Sequence, residues 1–166
     1  CDASRQLVPF VYSVYERVDG VGLEGAVTDP VLAGAAWHEL GRDLARLHTG
    51  VASTAPLIEW DQKTDPRPLP AIIARAGYFA AAEADWLDRW LARLSPYADA
   101  TIPLRFLHGD SQASNLIVAP DTLDYRAVLD WGSCLWGDIA LDFAGVPLRA
   151  VPAMLTGYRE LAATDD

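Results

Sequence analysis

Cysteine is nearly missing from these 166 residues: Cys1 and Cys134 are the only two. They form no disulfide framework and no Cys-x2-Cys metal pair, so a reduced, cytoplasmic setting is the simplest expectation. Lysine is scarcer still, with Lys63 alone, and it falls in the loop-like stretch Trp60–Pro66. Basic charge is short overall: 13 Lys and Arg stand against 23 Asp and Glu, a formal net charge of −10. Binding to a phosphate backbone or an anionic membrane needs a basic face, so neither is an expected partner. No apolar run approaches a membrane span, and the opening residues lead one to expect no signal peptide. Internal repeats, low-complexity tracts and a glycine-rich phosphate loop are all missing. What remains is half apolar with six Trp, the composition of one ordered domain.

The residues that are present divide the chain by their period. Residues 7–18 alternate loosely and are rich in Val, Tyr and Phe, the pattern of a strand. Thr28-Asp29-Pro30 reads as a helix start, a capping side chain before a Pro in the first turn. Trp37, Leu40, Leu44, Leu47 and His48 then recur every three or four residues, one buried stripe that runs to about Thr49. A histidine closing such a stripe is expected as a packed, hydrogen-bonded core residue. Pro56, Pro66, Pro68 and Pro70 mark a long loop from about Thr49 to Leu69. Helical stretches follow near 70–82 and 83–95, and the stripe Trp86, Leu87, Trp90, Leu91 and Leu94 is expected in the core. Short strands are expected at Leu104–Leu107, Asn115–Ala119 and Tyr125–Leu129, the last two joined by a turn at Pro120–Asp124. Asp138 should open a helix to about Val146, and a last helix should span about 151–163. Together these make a helix-dominated α+β domain with small β-hairpins.

Chemistry concentrates in residues 107–143. His108-Gly109-Asp110 is followed after four residues by Asn115. Fifteen residues further on, Asp130-Trp131-Gly132 ends the apolar run Ala127-Val128-Leu129, and Gly137-Asp138 and Asp142-Phe143 follow. Carboxylates and an amide oxygen presented from loops at strand ends are what phosphoryl transfer asks of a protein: one group to orient and deprotonate a hydroxyl, two to hold Mg²⁺ on the phosphates. Burying Asp130 alone would cost several kcal/mol, and a bound cation supplies its partner.

His-Gly-Asp-x4-Asn has the spacing of a protein-kinase catalytic loop, with Gly in place of the usual Arg. With the segments FLHGDSQASNLIV and AVLDWGSCLWGDIALDFAG, and more weakly ELGRDLARLH and VYERVDGVGL, the chain resembles the aminoglycoside phosphotransferase and choline kinase family. That family is the small-molecule branch of the kinase-like fold. The resemblance implies the helix-rich large lobe of such a fold, with residues 1–20 as the last small-lobe strand and hinge and 21–166 as a carboxy-terminal catalytic lobe, incomplete at its end. The amino-terminal lobe, with its nucleotide cover and lysine, is expected to be mostly absent, so the segment alone should be inactive.

The same resemblance implies roles. Asp110 would be the base that orients the acceptor hydroxyl, and Asn115 and Asp130 would hold Mg²⁺ on ATP or GTP. Glu16 and Val18 would lie beside the base of the nucleotide, and Ile117 and Leu129 would floor its pocket. His108 would pack within the loop scaffold, Asp138 would cap the following helix, and Asp142 would accept hydrogen bonds from the loop's backbone amides. Ser111 and Ile139 depart from the family pattern, which mostly has a bulky apolar residue and Pro there, and neither is expected to touch a proposed ligand. The acceptor is expected to be a small molecule. Aminoglycosides, macrolides, choline-like alcohols and amino-acid hydroxyls all stay open. The net charge and the acidic residues Glu83, Asp85 and Asp88 favour a cationic one.

Three other readings compete. A zinc hydrolase using His108, Asp110 and His48 leaves Asn115 and Asp130 without a role. A serine hydrolase fails because neither Ser111 nor Ser133 lies in a Gly-x-Ser-x-Gly elbow. The third is a catalytically inactive kinase-like binding module that keeps the residues without turnover. Oligomeric state has no signature in the sequence.

Overall fold

The stripe from Trp37 to His48 becomes α2 (Gly34–Gly50) in the computed structural model, which describes residues 16–51, 66–98 and 103–162 together with Ser4, Gln6 and Val14. Trp37, Leu40, Leu44 and His48 are buried and Leu47 half-buried, so the three-and-four spacing marks the inner face of the helix. Most of the strand expected at 7–18, Lys63 and most of the proline-rich loop lie outside the described residues.

Two other layers close on α2. On one side lies a three-stranded antiparallel sheet in the order β1 (Val21–Gly22), β3 (Leu116–Val118), β4 (Tyr125–Val128). Its Leu116 and Val118, with Leu23 of the short helix α1 (Leu23–Ala26), join Trp37, Leu40 and Leu44 in the core. Each fully buried Leu there is worth roughly 1.5–3 kcal/mol relative to exposure. A second, two-stranded sheet pairs β2 (Arg105–Leu107) with β5 (Leu135–Gly137).

On the other side, α6 (Val151–Arg159) crosses α2 at glycines. A Cβ on Gly41 would strike the carbonyl oxygen of Met154, and one on Gly157 would strike that of His38. With no side chains between them the two backbones touch, and Tyr158, next along α6, reaches His48 across the contact.

Five sequence expectations are revised. Asp29 does cap, accepting from Val31 N at 3.1 Å, but the element it caps is a single 3-10 turn, Pro30–Leu32. The backbone of Ala33 departs from helical values before α2 begins at Gly34. The next two helices are α3 (Leu69–Arg75) and α4 (Ala81–Ala98), and the aromatic stripe of α4 is not core: Trp86 is 56% and Trp90 39% exposed. Periodicity identifies an apolar face but not what covers it. The helix expected from Asp138 shrinks to α5 (Leu141–Ala144), because the preceding residues form three-residue turn bonds such as Leu141 N to Asp138 O. The last helix ends at Arg159, and β1 and β5 are too short to carry a period-2 pattern. Among the described residues no helix is long and apolar enough to cross a membrane.

Candidate active site

The strand β2 ends at Leu107, and the chain then makes a loop, His108–Asn115, before entering β3. Gly109 sits in that loop at φ +82°, where a Cβ would also run into the carbonyl oxygen of Ser133. Both the left-handed backbone and the close approach require glycine there. This accounts for the Gly that stands where protein kinases carry Arg.

A buried carboxylate fixes the loop. Asp142 is fully buried, and its Oδ2 accepts from His108 N at 2.9 Å and from His48 Nε2 at 2.9 Å. Its Oδ1 accepts from Gly109 N at 2.6 Å and from Ser111 Oγ at 3.3 Å. Burial works to raise the pKa of this carboxyl, but the hydrogen bonds from His48, Gly109 and His108 outweigh it and hold the pKa below the ordinary value. His48 is the packed, hydrogen-bonded core residue that the end of its stripe predicts; its Nδ1 lies 3.0 Å from the hydroxyl of Tyr158.

His108 ties the loop to the end of β4. Its Nε2 donates to Leu129 O at 2.9 Å, which leaves Nδ1 to accept from Asp110 N at 3.3 Å, and Trp131 packs edge-on against its ring. Leu129 N in turn donates to Asn115 O at 2.9 Å, extending the β3–β4 ladder by one rung. Asn115 and Asp130 therefore emerge side by side at the open end of one hairpin.

The polar atoms of the loop are then allotted. Asn115 Nδ2 donates to Asp110 Oδ2 at 2.9 Å and to Asp110 O at 2.8 Å, and Gln112 Nε2 donates to the same Oδ2 at 3.1 Å. Both side-chain bonds fall on Oδ2, which leaves Oδ1 of Asp110 as a proton acceptor. Turning the Asn115 nitrogen inward likewise leaves its Oδ1 as an oxygen donor. Asp130 is exposed, in a left-handed conformation at φ 64°, with one carboxylate oxygen accepting from Gly132 N at 3.3 Å. One amide oxygen and one carboxylate are hard donors in the number Mg²⁺ takes from a protein when phosphates and waters complete its shell, so the residues fit that ion. Among the described residues no three His, Cys, Asp or Glu side chains cluster to hold a metal by themselves. The zinc arrangement of His48, His108 and Asp110 is not assembled, because the ring nitrogens of both histidines face protein partners.

The residues expected around a nucleotide are spread out. Glu16 and Val18 line an open cleft of about 730 Å³ with Ala119, Pro120 and Arg126, at the turn end of the β3–β4 hairpin. Ile117 meets Gly20 of the same segment, but Leu129 lies at the hairpin's other end, exposed and outside the cleft. Asp138 caps as expected, accepting from Ala140 N at 2.9 Å, although the element it opens is a turn. Ser111, noted in the sequence only as a departure from the family pattern, is buried and is one of the four donors to Asp142. Tyr158 was not legible as part of the site, since only the glycine crossing brings it to His48.

The lowered pKa of Asp142 fixes a sign. A carboxyl with a lower pKa folded than unfolded adds stability above its unfolded value, about 3.9, and that stability is lost as pH falls through the folded value. Asp142→Asn should lower stability at neutral pH by about 1–3 kcal/mol, by leaving buried donors poorly matched. It should also flatten the acid limb of stability against pH. Urea unfolding between about pH 3 and pH 7 checks this, and a variant with the wild-type acid limb would contradict it.

Comparison with known proteins bears on the fold and the family. No curated protein matches the chain. Among solved structures, the macrolide 2'-phosphotransferase of Brachybacterium faecium superposes with a TM-score of 0.54 at 24% identity, over 81% of this chain and 47% of that one. An aminoglycoside phosphotransferase from Streptomyces rimosus, in complex with ADP and streptomycin, superposes at 0.53 and 19% identity over 89% and 63%. Amicoumacin kinase, in complex with AMP-PNP and Ca²⁺, gives 0.53 and 16% over 91% and 49%. These likenesses establish the helix-rich lobe of a kinase-like fold, and the chain spans about half to three-fifths of the length of each. Residues 2–162 match the profile of the phosphotransferase enzyme family, and the chain belongs to that family.

Proposed function

We propose that this chain carries the catalytic lobe of an ATP- or GTP-dependent O-phosphotransferase that acts on a small-molecule hydroxyl. The observation that carries the reading is the bond of Asn115 Nδ2 to Asp110, with Asp130 following directly on the Asn115–Leu129 rung. In this reading the hinge ends at residue 20 and the lobe runs over 21–166. The β3–β4 hairpin then acts as a ruler. The base would sit in the cleft at its turn end beside Glu16 and Val18, with Ile117 beneath. The phosphates would reach the open end about four residues away, roughly 13 Å at strand rise.

There the chain's own residues do the chemistry. Asp110 Oδ1 accepts a hydrogen bond from the acceptor hydroxyl, aligns it and takes its proton as the new O–P bond forms. The bridging P–O bond breaks, and its electron pair leaves on the nucleoside diphosphate. Mg²⁺, when bound, would neutralise charge on the phosphates, held by Asn115 and Asp130. Asp142 and His48 keep the loop rigid, so that the alignment needs no reorganisation during reaction. A cytoplasmic location, where nucleotide and Mg²⁺ are abundant, follows from this reading.

The acceptor class is carried forward from the macrolide and streptomycin named with the solved structures: an antibiotic hydroxyl. A cationic acceptor fits the charge of −10, and Asp85 and Asp88 are exposed on α4 beside Trp86 and Trp90, while Glu83 caps that helix through Ala80 N. Carboxylates around a cleft raise the local concentration of cations, and salt screens the effect.

Three measurements on the full-length protein test these statements. Asp110→Ala should lower kcat by about 10²–10⁴-fold while nucleotide affinity holds, and Asp130→Asn should weaken Mg²⁺-dependent nucleotide binding with little effect on acceptor affinity. Near-wild-type turnover in the first, or unchanged metal dependence in the second, would remove the residue from its role. No turnover in the wild type with any acceptor would favour the inactive binding module. For the acceptor, kcat/KM for a cationic aminoglycoside should fall steeply with added salt, and for a neutral macrolide it should not. Preference for an anionic alcohol would refute the electrostatic reading.

A further inference from the structure

The chain Tyr158–His48–Asp142 has more order than packing requires. Neutral imidazole carries one hydrogen on its two nitrogens, so a donor at one nitrogen makes the other an acceptor. Asp142 can only accept while ionised, so His48 Nε2 must carry hydrogen for their 2.9 Å contact to be a bond. Nδ1 is then the acceptor, and the group 3.0 Å from it is the Tyr158 hydroxyl. That hydroxyl is set against the ring: the two rings are tilted at 5.5 Å, and Phe143 stacks edge-on against Tyr158 from the α5 side at 5.7 Å. Burial raises the Tyr158 pKa, which keeps its proton in place for donation.

We propose that Tyr158 is a positioning residue for the loop His108–Asn115: its hydroxyl donates to His48 Nδ1, fixes the imidazole as the Nε2–H tautomer, and so aims that hydrogen at Asp142, whose two oxygens hold the backbone of His108 and Gly109. This rests on the phosphotransferase reading only for its consequence in catalysis; the hydrogen-bond chain stands without it. Tyr158 touches neither substrate nor metal. It acts from α6 through two intermediaries, and the glycine crossing at Gly41 and Gly157 is what brings α6 near enough. Without the phenol, either ring nitrogen is free to carry the hydrogen. The tautomer with hydrogen on Nδ1 sets a lone pair against the Asp142 carboxylate and loosens the loop.

The test is ¹⁵N NMR of the histidine side chains in this chain, with His48 identified among the three histidines by its loss in His48→Gln. The wild type should show Nε2 protonated and Nδ1 as a hydrogen-bonded acceptor at neutral pH. Hydrogen on Nδ1 would overturn the proposal before any Tyr158 variant is made. Tyr158→Phe keeps the ring and removes only the hydroxyl. It should shift Nδ1 toward the value of an unbonded nitrogen and speed exchange of the His108 and Gly109 amides roughly 2- to 13-fold, the size that one hydrogen bond commands. The α6 amides should exchange at their wild-type rate. Unchanged His48 signals and loop exchange, or equal acceleration throughout α6, would show a packing role alone. In the full-length enzyme the same variant should lower kcat and leave KM for the nucleotide unchanged. Absence of the Nε2–H signature in the wild type refutes Tyr158 positioning; its presence in a protein without turnover refutes the phosphotransferase reading instead.

Discussion

Asp142 is a negative charge placed where no water reaches, and the structure is arranged around satisfying it. Two backbone amides, one hydroxyl and one imidazole point at its two oxygens. A charge buried alone would be untenable, so the donors cannot drift without large cost. The loop that supplies three of them is thereby fixed in space, although loops are ordinarily the mobile parts of a fold. Asp110 and Asn115 inherit that rigidity. The route from sequence to chemistry runs through this one carboxylate.

Three glycines set the distances that the arrangement needs. Gly109 lets the loop turn left-handed against the carbonyl of Ser133, so that its amide can face Asp142. Gly157, with Gly41 opposite, lets α6 lie directly on α2, so that a tyrosine from the end of the chain meets a histidine from its first third. The hairpin completes the assembly by bonding Asn115 O to Leu129 N, so that Asp130 follows at the same edge. Helix, sheet and loop each contribute to the site.

Legibility in the sequence followed the range of the interaction. The α2 stripe was readable because a period of three to four residues is local, and His48 was correctly placed at its end. The grouping of His108, Asp110 and Asn115 in one loop, with Asp130 at the adjoining hairpin end, was readable because the motif has a fixed spacing. The α4 stripe misled because an apolar face at helical period says nothing about cover, and Trp86 and Trp90 stand exposed among the described residues. Ser111 looked like a departure from a pattern because its partner is 31 residues away. Tyr158 had no signal at all: it is 110 residues from His48, and the crossing that joins them depends on glycines. The placing of Leu129 outside the cleft was hidden for a related reason, since strand alternation gives the face of a residue and not which end of a hairpin holds a ligand.

The central claim is that the clamped loop and the hairpin corner form one metal–nucleotide site. Paramagnetic broadening by Mn²⁺ with a non-hydrolysable ATP analogue, read on the backbone amides of the full-length protein, tests it most directly. The account predicts broadening centred on Asp110, Asn115 and Asp130, with His38 on the far side of α2 unaffected, and no broadening from Mn²⁺ when the analogue is left out. Broadening centred elsewhere, or a nucleotide that binds without disturbing these three residues, would contradict it.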